Sequence, residues 1–181
     1  MTKLEEQNIQ LQVKLAHMEQ RLNDVSEELC ACKEKTHVCP AGDILICDRC
    51  YSLPNIYVKK NYTEARSVCQ AAGGHLAMPK DKKTNDFLAR VLQSLFMFVG
   101  RRRHSVWIGL TDRSEMGTSW MWEDGTPLAG WNNWAAGRPQ NPLHGAFCAC
   151  WDEFHGYNWN DAQCGSDDFN YLCEKPATVK P

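Results

Sequence analysis

From Trp131 to Cys164 the chain reads W-N-N-W-A-A-G-R-P-Q-N-P-L-H-G-A-F-C-A-C-W-D-E-F-H-G-Y-N-W-N-D-A-Q-C. Four of the seven tryptophans and three of the ten cysteines fall in this stretch. Gly, Pro and Asn punctuate it, so it reads as a loop-rich segment and not as one long helix or strand. Loops of this length are uncommon in compact domains unless they carry function. Whatever the chain folds into must support this segment and pack its indoles.

At 181 residues the chain suits one domain with an appendage. A core of roughly 140 residues buries enough apolar surface to fold alone. A net charge of -2 argues against a polyanion partner such as nucleic acid. Ten cysteines fit an oxidising compartment, unless a metal uses the thiols. Lys3, Glu5 and Glu6 break any early apolar run, and no run is long enough to span a bilayer. The chain therefore reads as extracellular, a secreted protein or ectodomain given without its targeting segment. An intracellular metal protein is the rival reading.

Leu4, Leu11, Met18 and Val25 occupy one position of a seven-residue pattern, and Asn8, Leu15, Leu22 and Leu29 the other. Alternating gaps of four and three, without Gly or Pro, predict a parallel coiled coil, a rod of about 39 Å. A single amphipathic helix packed on its own domain is the alternative. With Asn8, Leu15 and Leu22 at position a, Lys14 at g meets Glu19 at e of a neighbouring chain. Leucine at a, with no β-branched residue there, favours a trimer slightly over a dimer. Cys30 and Cys32 follow directly, where parallel chains come within bonding reach; intrachain partners stay open.

Cys39-Pro40 and Cys50-Tyr51 frame a short apolar run, Ile44–Ile46. Cys30, Cys32, His37, Cys39, Cys47 and Cys50 also supply enough donors for a zinc site, which their spacing alone does not reject. Ile56–Val58 reads as a strand, and Asn61-Tyr62-Thr63 is an N-glycosylation acceptor triplet at Asn61. Thr63 suits the N-cap of a helix from Glu64 to Ala72, which Gly73-Gly74 ends. A second helix is predicted over Lys83–Phe96, with Phe87, Leu88, Val91, Leu92 and Leu95 inward. Arg101-Arg102-Arg103-His104 reads as a solvated loop or an anion-binding patch. Val106–Leu110 follows as a buried strand, then Trp120–Trp122 running into a turn at Glu123–Thr126.

The runs E-A-R-S-V-C-Q-A-A-G-G-H-L-A-M-P, V-W-I-G-L-T-D, G-W-N-N-W-A-A-G-R-P, W-N-D-A-Q-C and Y-L-C-E-K together resemble a C-type lectin-like domain of the long form, over about Cys39–Lys175. The heptad segment directly before it, and L-A-M-P-K-D, are similar to collectins. The resemblance implies an α+β, C-type lectin-like fold: two helices, small antiparallel sheets and a long loop lobe, behind an N-terminal parallel coiled-coil helix. The chain then divides into a neck (1–32), a linker (33–38), the domain (39–176) and a tail (177–181). The implied disulfides are Cys39–Cys50, Cys69–Cys173 and Cys148–Cys164, with Cys150 the alternative partner of Cys164. Cys47 and either Cys150 or Cys148 are left without an assigned partner.

In the family, a Glu-Pro-Asn and a Trp-Asn-Asp tripeptide hold calcium and a sugar. The corresponding ligand-binding candidates are Arg138, Gln140, Asn141, Asn160 and Asp161; Gln140, Asn160, Asp161 and Asp112 are the candidate calcium ligands. Calcium takes about six to eight oxygens. Arg138 supplies none, and Ala146 and Phe147 stand where an acidic pair precedes the loop cysteine. A guanidinium about 4 Å from a divalent ion repels it by about 8 kcal/mol at an effective dielectric near 20. Calcium, the sole cofactor in view, is thus expected to bind weakly. Trp131, Trp134 and Trp151 read as packing residues before sugar platforms. No nucleophile and base pair stands at a suggestive spacing, and His144 and His155 flank the loop without an identifiable partner, which argues against an enzyme. The expectation is an oligomeric extracellular binding protein that takes a glycan at a degenerate site, or a protein ligand at the same lobe.

Overall fold

The computed structural model describes residues 37–97, 104–112, 119–140 and 147–179. The heptad segment with Cys30 and Cys32, the basic run Arg101–Arg103, and Asn141, His144 and Ala146 lie outside the described residues.

Among the described residues two helices flank three sheets. Helix α1, Tyr62–Ala71, buries Tyr62, Ala65 and Cys69. Its N-cap is Asn61, two residues earlier than Thr63: the Asn61 side chain accepts from the Glu64 N–H at 3.0 Å. Extended backbone at Asn61 aims its short amide at the orphan donor, which Thr63 inside the first turn cannot do. The helix ends at Gly73, whose φ of 79° suits glycine. A side chain at Gly74 would run into the carbonyl of Glu174.

Helix α2, Lys82–Phe96, is capped by Asp81. It buries Phe87, Leu88, Val91 and Leu92 as its spacing predicts. Leu95, expected inward, is 41% exposed, and Phe96 takes its place at 3%. The stripe follows Leu88, Leu92 and Phe96 at intervals of four, which turns Leu95 outward.

Strands β1 (His37–Val38), β2 (Ile44–Ile46), β3 (Arg49–Ser52), β4 (His75–Leu76), β5 (Val106–Asp112), β6 (Trp120–Trp122), β7 (Phe147–Asp152), β8 (Asn158–Gln163), β9 (Asn170–Tyr171), β10 (Cys173–Pro176) and β11 (Thr178–Val179) complete the described elements. One sheet runs β2-β3-β10-β4 and a second β6-β5-β7-β8, with β9 parallel to β5 and the other pairs antiparallel. β1 pairs with β11, so regular structure continues past both expected edges of the domain, into residues assigned to linker and tail. The Cys39–Cys50 disulfide and the Ala177 N–H donating to the Asp48 carbonyl at 2.8 Å hold those ends together.

Ile56–Val58 is a turn, not a strand. Asn55 closes it: its side chain accepts from the Tyr57 N–H and its carbonyl from that of Val58. That local bonding competes with strand pairing.

The core gathers on Trp159. Trp122, Trp131 and Trp134 meet its ring edge-on at 5.7, 5.5 and 5.7 Å between centroids. The disulfides are Cys39–Cys50, Cys69–Cys173 and Cys148–Cys164, and Cys47 is disulfide-bonded as well. Cys39, Cys47 and Cys50 therefore have no thiolate to offer zinc. Cys69–Cys173 ties α1 to β10 across 104 residues, a closure worth about 4.7 kcal/mol in the chain-entropy model. Cys150 is a free, buried thiol.

Candidate functional site: the long-loop lobe over β8

β8 carries the W-N-D tripeptide, and the loop after β6 lies along it. The Trp159 N–H donates to the Asn133 carbonyl at 2.7 Å, and the Trp159 carbonyl accepts from the Ala135 N–H at 2.8 Å. These two bonds fix the loop in register beside β8. The Arg138 N–H then turns back to the Ala135 carbonyl at 2.9 Å, ahead of a cis Arg138–Pro139 peptide.

The turn delivers Arg138 to Asp161. Arg138 Nη1 donates to Asp161 Oδ1 at 3.2 Å, and the Gln140 N–H donates to Oδ2 at 3.1 Å. The carboxylate is 2% exposed and the guanidinium 22%. Both carboxylate oxygens of Asp161 are thus engaged by protein donors, one of them a full positive charge. A charge-assisted bond of this kind is about twice as strong as a neutral one.

Asn160 does not join them. Neighbouring residues of a strand face opposite sides of the sheet. Asn160 Nδ2 donates to Asp152 Oδ2 at 3.0 Å, across the β7–β8 pair. Its Oδ1 is buried without a hydrogen-bond partner. Asp152 also accepts from Ser105 Oγ at 3.1 Å, the Phe154 N–H at 3.1 Å and His155 Nδ1 at 2.8 Å. Burial opposes ionisation of Asp152, but these donors outweigh it and hold the carboxyl below its ordinary range. His155 therefore has a partner after all. Ser105 bonds to the carboxylate and not to the imidazole, so the group contains no nucleophile–base pair.

Asp112 is buried at the end of β5 and accepts from the Ser119 N–H at 3.3 Å. Asn61, besides capping α1, donates through Nδ2 to Asp167 Oδ1 at 3.1 Å. Trp151 and Trp159 are fully buried, and Trp131 and Trp134 pack edge-on to Trp159, as packing residues do. Cys150 lies behind the site, its Sγ 3.6 Å from the Asn160 carbonyl. Burial, then the carboxylates of Asp152 and Asp161, push its thiol pKa well up.

A calcium ion in the family's position does not fit this donor set. Among the described residues the one acidic ligand candidate on this face, Asp161, is neutralised by Arg138, and Asn160, its Nδ2 held by Asp152, has a single neutral oxygen, Oδ1, without a partner. Gln140 presents its backbone N–H, a donor that a cation repels. Among the described residues no three His, Cys, Asp or Glu side chains lie close enough to share a metal ion. The arrangement offers instead a guanidinium with unused donors beside a satisfied carboxylate.

Sequence reasoning missed two residues that shape the site. Asn85, on the apolar face of α2, is 1% exposed and accepts from two indoles. Asp152 collects donors from Ser105 just ahead of β5, from β8 and from the turn at Glu153–His155. A polar residue interrupting an apolar stripe was the only signal for the first, and the i,i+3 spacing of Asp152 and His155 for the second.

The model of the Lectin C-type domain matches residues 58–175. C-type lectin domain family 4 member M of Nomascus concolor is 33% identical over 140 residues, 76% of this chain and 31% of that protein. Collectin-10 of Homo sapiens is 33% identical over 116 residues, 64% of this chain and 38% of that protein. The chain thus spans about a third of the length of these relatives. Among solved structures, the mouse scavenger receptor C-type lectin carbohydrate-recognition domain superposes with a TM-score of 0.63 at 30% identity, covering 79% of this chain and all of that one. A calcium-independent type II antifreeze protein superposes with a TM-score of 0.65 at 25% identity, over 81% of this chain and all of that one. No helix of the described residues is long and apolar enough to cross a membrane. The family match over residues 58–175, on a fold of two helices and small sheets stapled by disulfides, makes this chain a member of the C-type lectin domain family.

Proposed function

We propose that this chain is an oligomeric, extracellular recognition protein whose long-loop lobe takes a glycan without a bridging calcium ion. The observation that carries this reading is the ion pair of Arg138 with Asp161, closed from the other side by the Gln140 N–H. Its positive charge occupies the carboxylate that a calcium ion would need. The lectin relatives support the ligand class, and the solved calcium-independent relative supports a stable lobe without the ion. The disulfides of Cys39, Cys69 and Cys148, and the bonded Cys47, support an oxidising compartment.

Residues 1–32 supply the neck in this reading: a parallel coiled coil, trimeric before dimeric. Joining several weak sites raises avidity by about two to four orders of magnitude without new contacts. A glycan array probed with the full chain, with and without chelator, tests the reading. Signals that survive chelation are expected. Signals lost on chelation would refute calcium independence. A blank array would favour the second reading, a protein ligand at the same lobe. Phe154, 76% exposed beside the Asp152 cluster, is the feature that favours it, because exposed aromatics anchor protein interfaces.

A further inference from the structure

Away from the long loop, a cavity of about 250 Å³ opens between the β2–β3 hairpin, the start of α2 and the turn after β6. Its floor is apolar: Ile46, Tyr51 and Met78 line it and are buried. At the back, the buried Glu174 accepts from the Met78 N–H at 2.7 Å and from the Tyr51 hydroxyl. The rim is polar and largely self-satisfied. Lys80 binds Asp124 and, at 2.8 Å, Thr126, while Asp81 is occupied in capping α2. Arg49 is the exception. Half-buried in the wall, its guanidinium makes no side-chain hydrogen bond or ion pair among the described residues and meets Glu174 and Tyr51 only through space.

A guanidinium has five N–H donors, and leaving them unmet in a partly closed cavity costs free energy. Charge then decides what can meet them. An anion would pair with Arg49 but face Asp48 and Glu174. A cation would suit those carboxylates but face Arg49 and Lys80. A neutral ligand with adjacent hydroxyls satisfies both sides: its oxygens accept from Arg49, its O–H groups donate to the carboxylates, and its C–H face lies on Tyr51 and Met78. We propose that this cavity is a second saccharide subsite, independent of calcium and of the long loop, which holds one neutral sugar residue with Arg49 as its principal donor.

The test is a titration of the ¹⁵N-labelled full-length chain, in chelator, with glucose, mannose, galactose and N-acetylglucosamine, following the amides of Arg49, Met78 and Glu174. At least one sugar is expected to shift these amides with a millimolar dissociation constant, and Arg49→Met to weaken that binding about tenfold or more. Arg49→Lys should restore part of it. If Arg49→Met does not fold, Asp48→Ala, on an exposed side chain, decides in its place and should also weaken binding. No shift with any sugar at tens of millimolar would overturn the proposal. So would unchanged affinity in the substituted chain, or larger shifts of the same amides with inorganic sulfate. Shifts at Gln140 and Asp161 are read separately, so failure here is distinguishable from failure of the long-loop site.

Discussion

The indole N–H of Trp159 donates to Oδ1 of Asn85 at 2.9 Å, and that of Trp151 reaches the same oxygen at 2.8 Å. One amide thereby ties α2 to β7 and β8 beneath the long loop. Asn85→Ala leaves two buried donors unmet, each costing about 1–3 kcal/mol. The expected loss is about 2–5 kcal/mol, read from urea unfolding with an unchanged slope. A loss below about 1 kcal/mol would mean that water replaces the amide and that the tether is dispensable.

Local pattern carried much of this fold into the sequence. The spacing of Phe87, Leu88, Val91 and Leu92 located α2, and the run Val106–Leu110 located β5, because periodicity reports which face is buried. It failed where a single side chain outbids the pattern, as Asn55 does in closing the turn at Ile56–Val58. The candidate site was legible only in part. Arg138 in a glutamate's place announced a positive charge, but not that it would pair with Asp161. Asn160 and Asp161 are adjacent in sequence, yet strand alternation sends them to different partners. The partner of Asn160 lies across a hairpin, and no spacing within the tripeptide encodes it.

Asp152 sets a pH dependence. Four donors surround it, and despite burial its folded pKa lies below the ordinary 3.8. A depressed folded pKa contributes stability that is present above the unfolded value and is lost as pH falls through the folded value. Glu174 acts oppositely: burial raises its pKa, so its protonation begins above 4.5 and favours the folded state. Asp152→Asn should therefore be less stable than the parent at neutral pH. It should also lose less stability between roughly pH 5 and pH 2, measured by unfolding at a series of pH values. Parallel curves for the two proteins would show that Asp152 does not set the acid limb.

Cys150 should be inert in the native protein. It is buried between β5 and β8, and its thiol pKa is raised by burial and then by Asp152 and Asp161. The thiolate is the reactive species, so both its access and its abundance are low. Iodoacetamide at neutral pH is expected to leave the Cys150 peptide unlabelled in the folded chain and to label it fully in denaturant without reductant. Cys148 and Cys164 should stay unlabelled in both states. Rapid native labelling would mean that β7 and β8 open readily.

Arg138 and calcium provide the sharpest test of the long-loop reading. A ligand that binds only the folded state stabilises it by RT ln(1 + [L]/Kd), so a site saturated a hundredfold adds about 2.7 kcal/mol. Millimolar calcium is expected to leave the melting temperature of the parent unchanged, because Asp161 is already neutralised. Arg138→Ala leaves a carboxylate that is 2% exposed with the Gln140 N–H as its remaining donor from the loop. Removing one partner of a fully buried pair costs about 3–5 kcal/mol, and the partial exposure of Arg138 places this case nearer 2 kcal/mol. Arg138→Glu should cost more, since it sets two carboxylates together. Adding Ala146→Glu to it should let calcium recover part of that loss, and only part while Asn160 remains bonded to Asp152. A large calcium shift in the parent would show that the guanidinium swings aside and that the ion finds its oxygens elsewhere in the loop. That result would return this lobe to calcium-bridged binding.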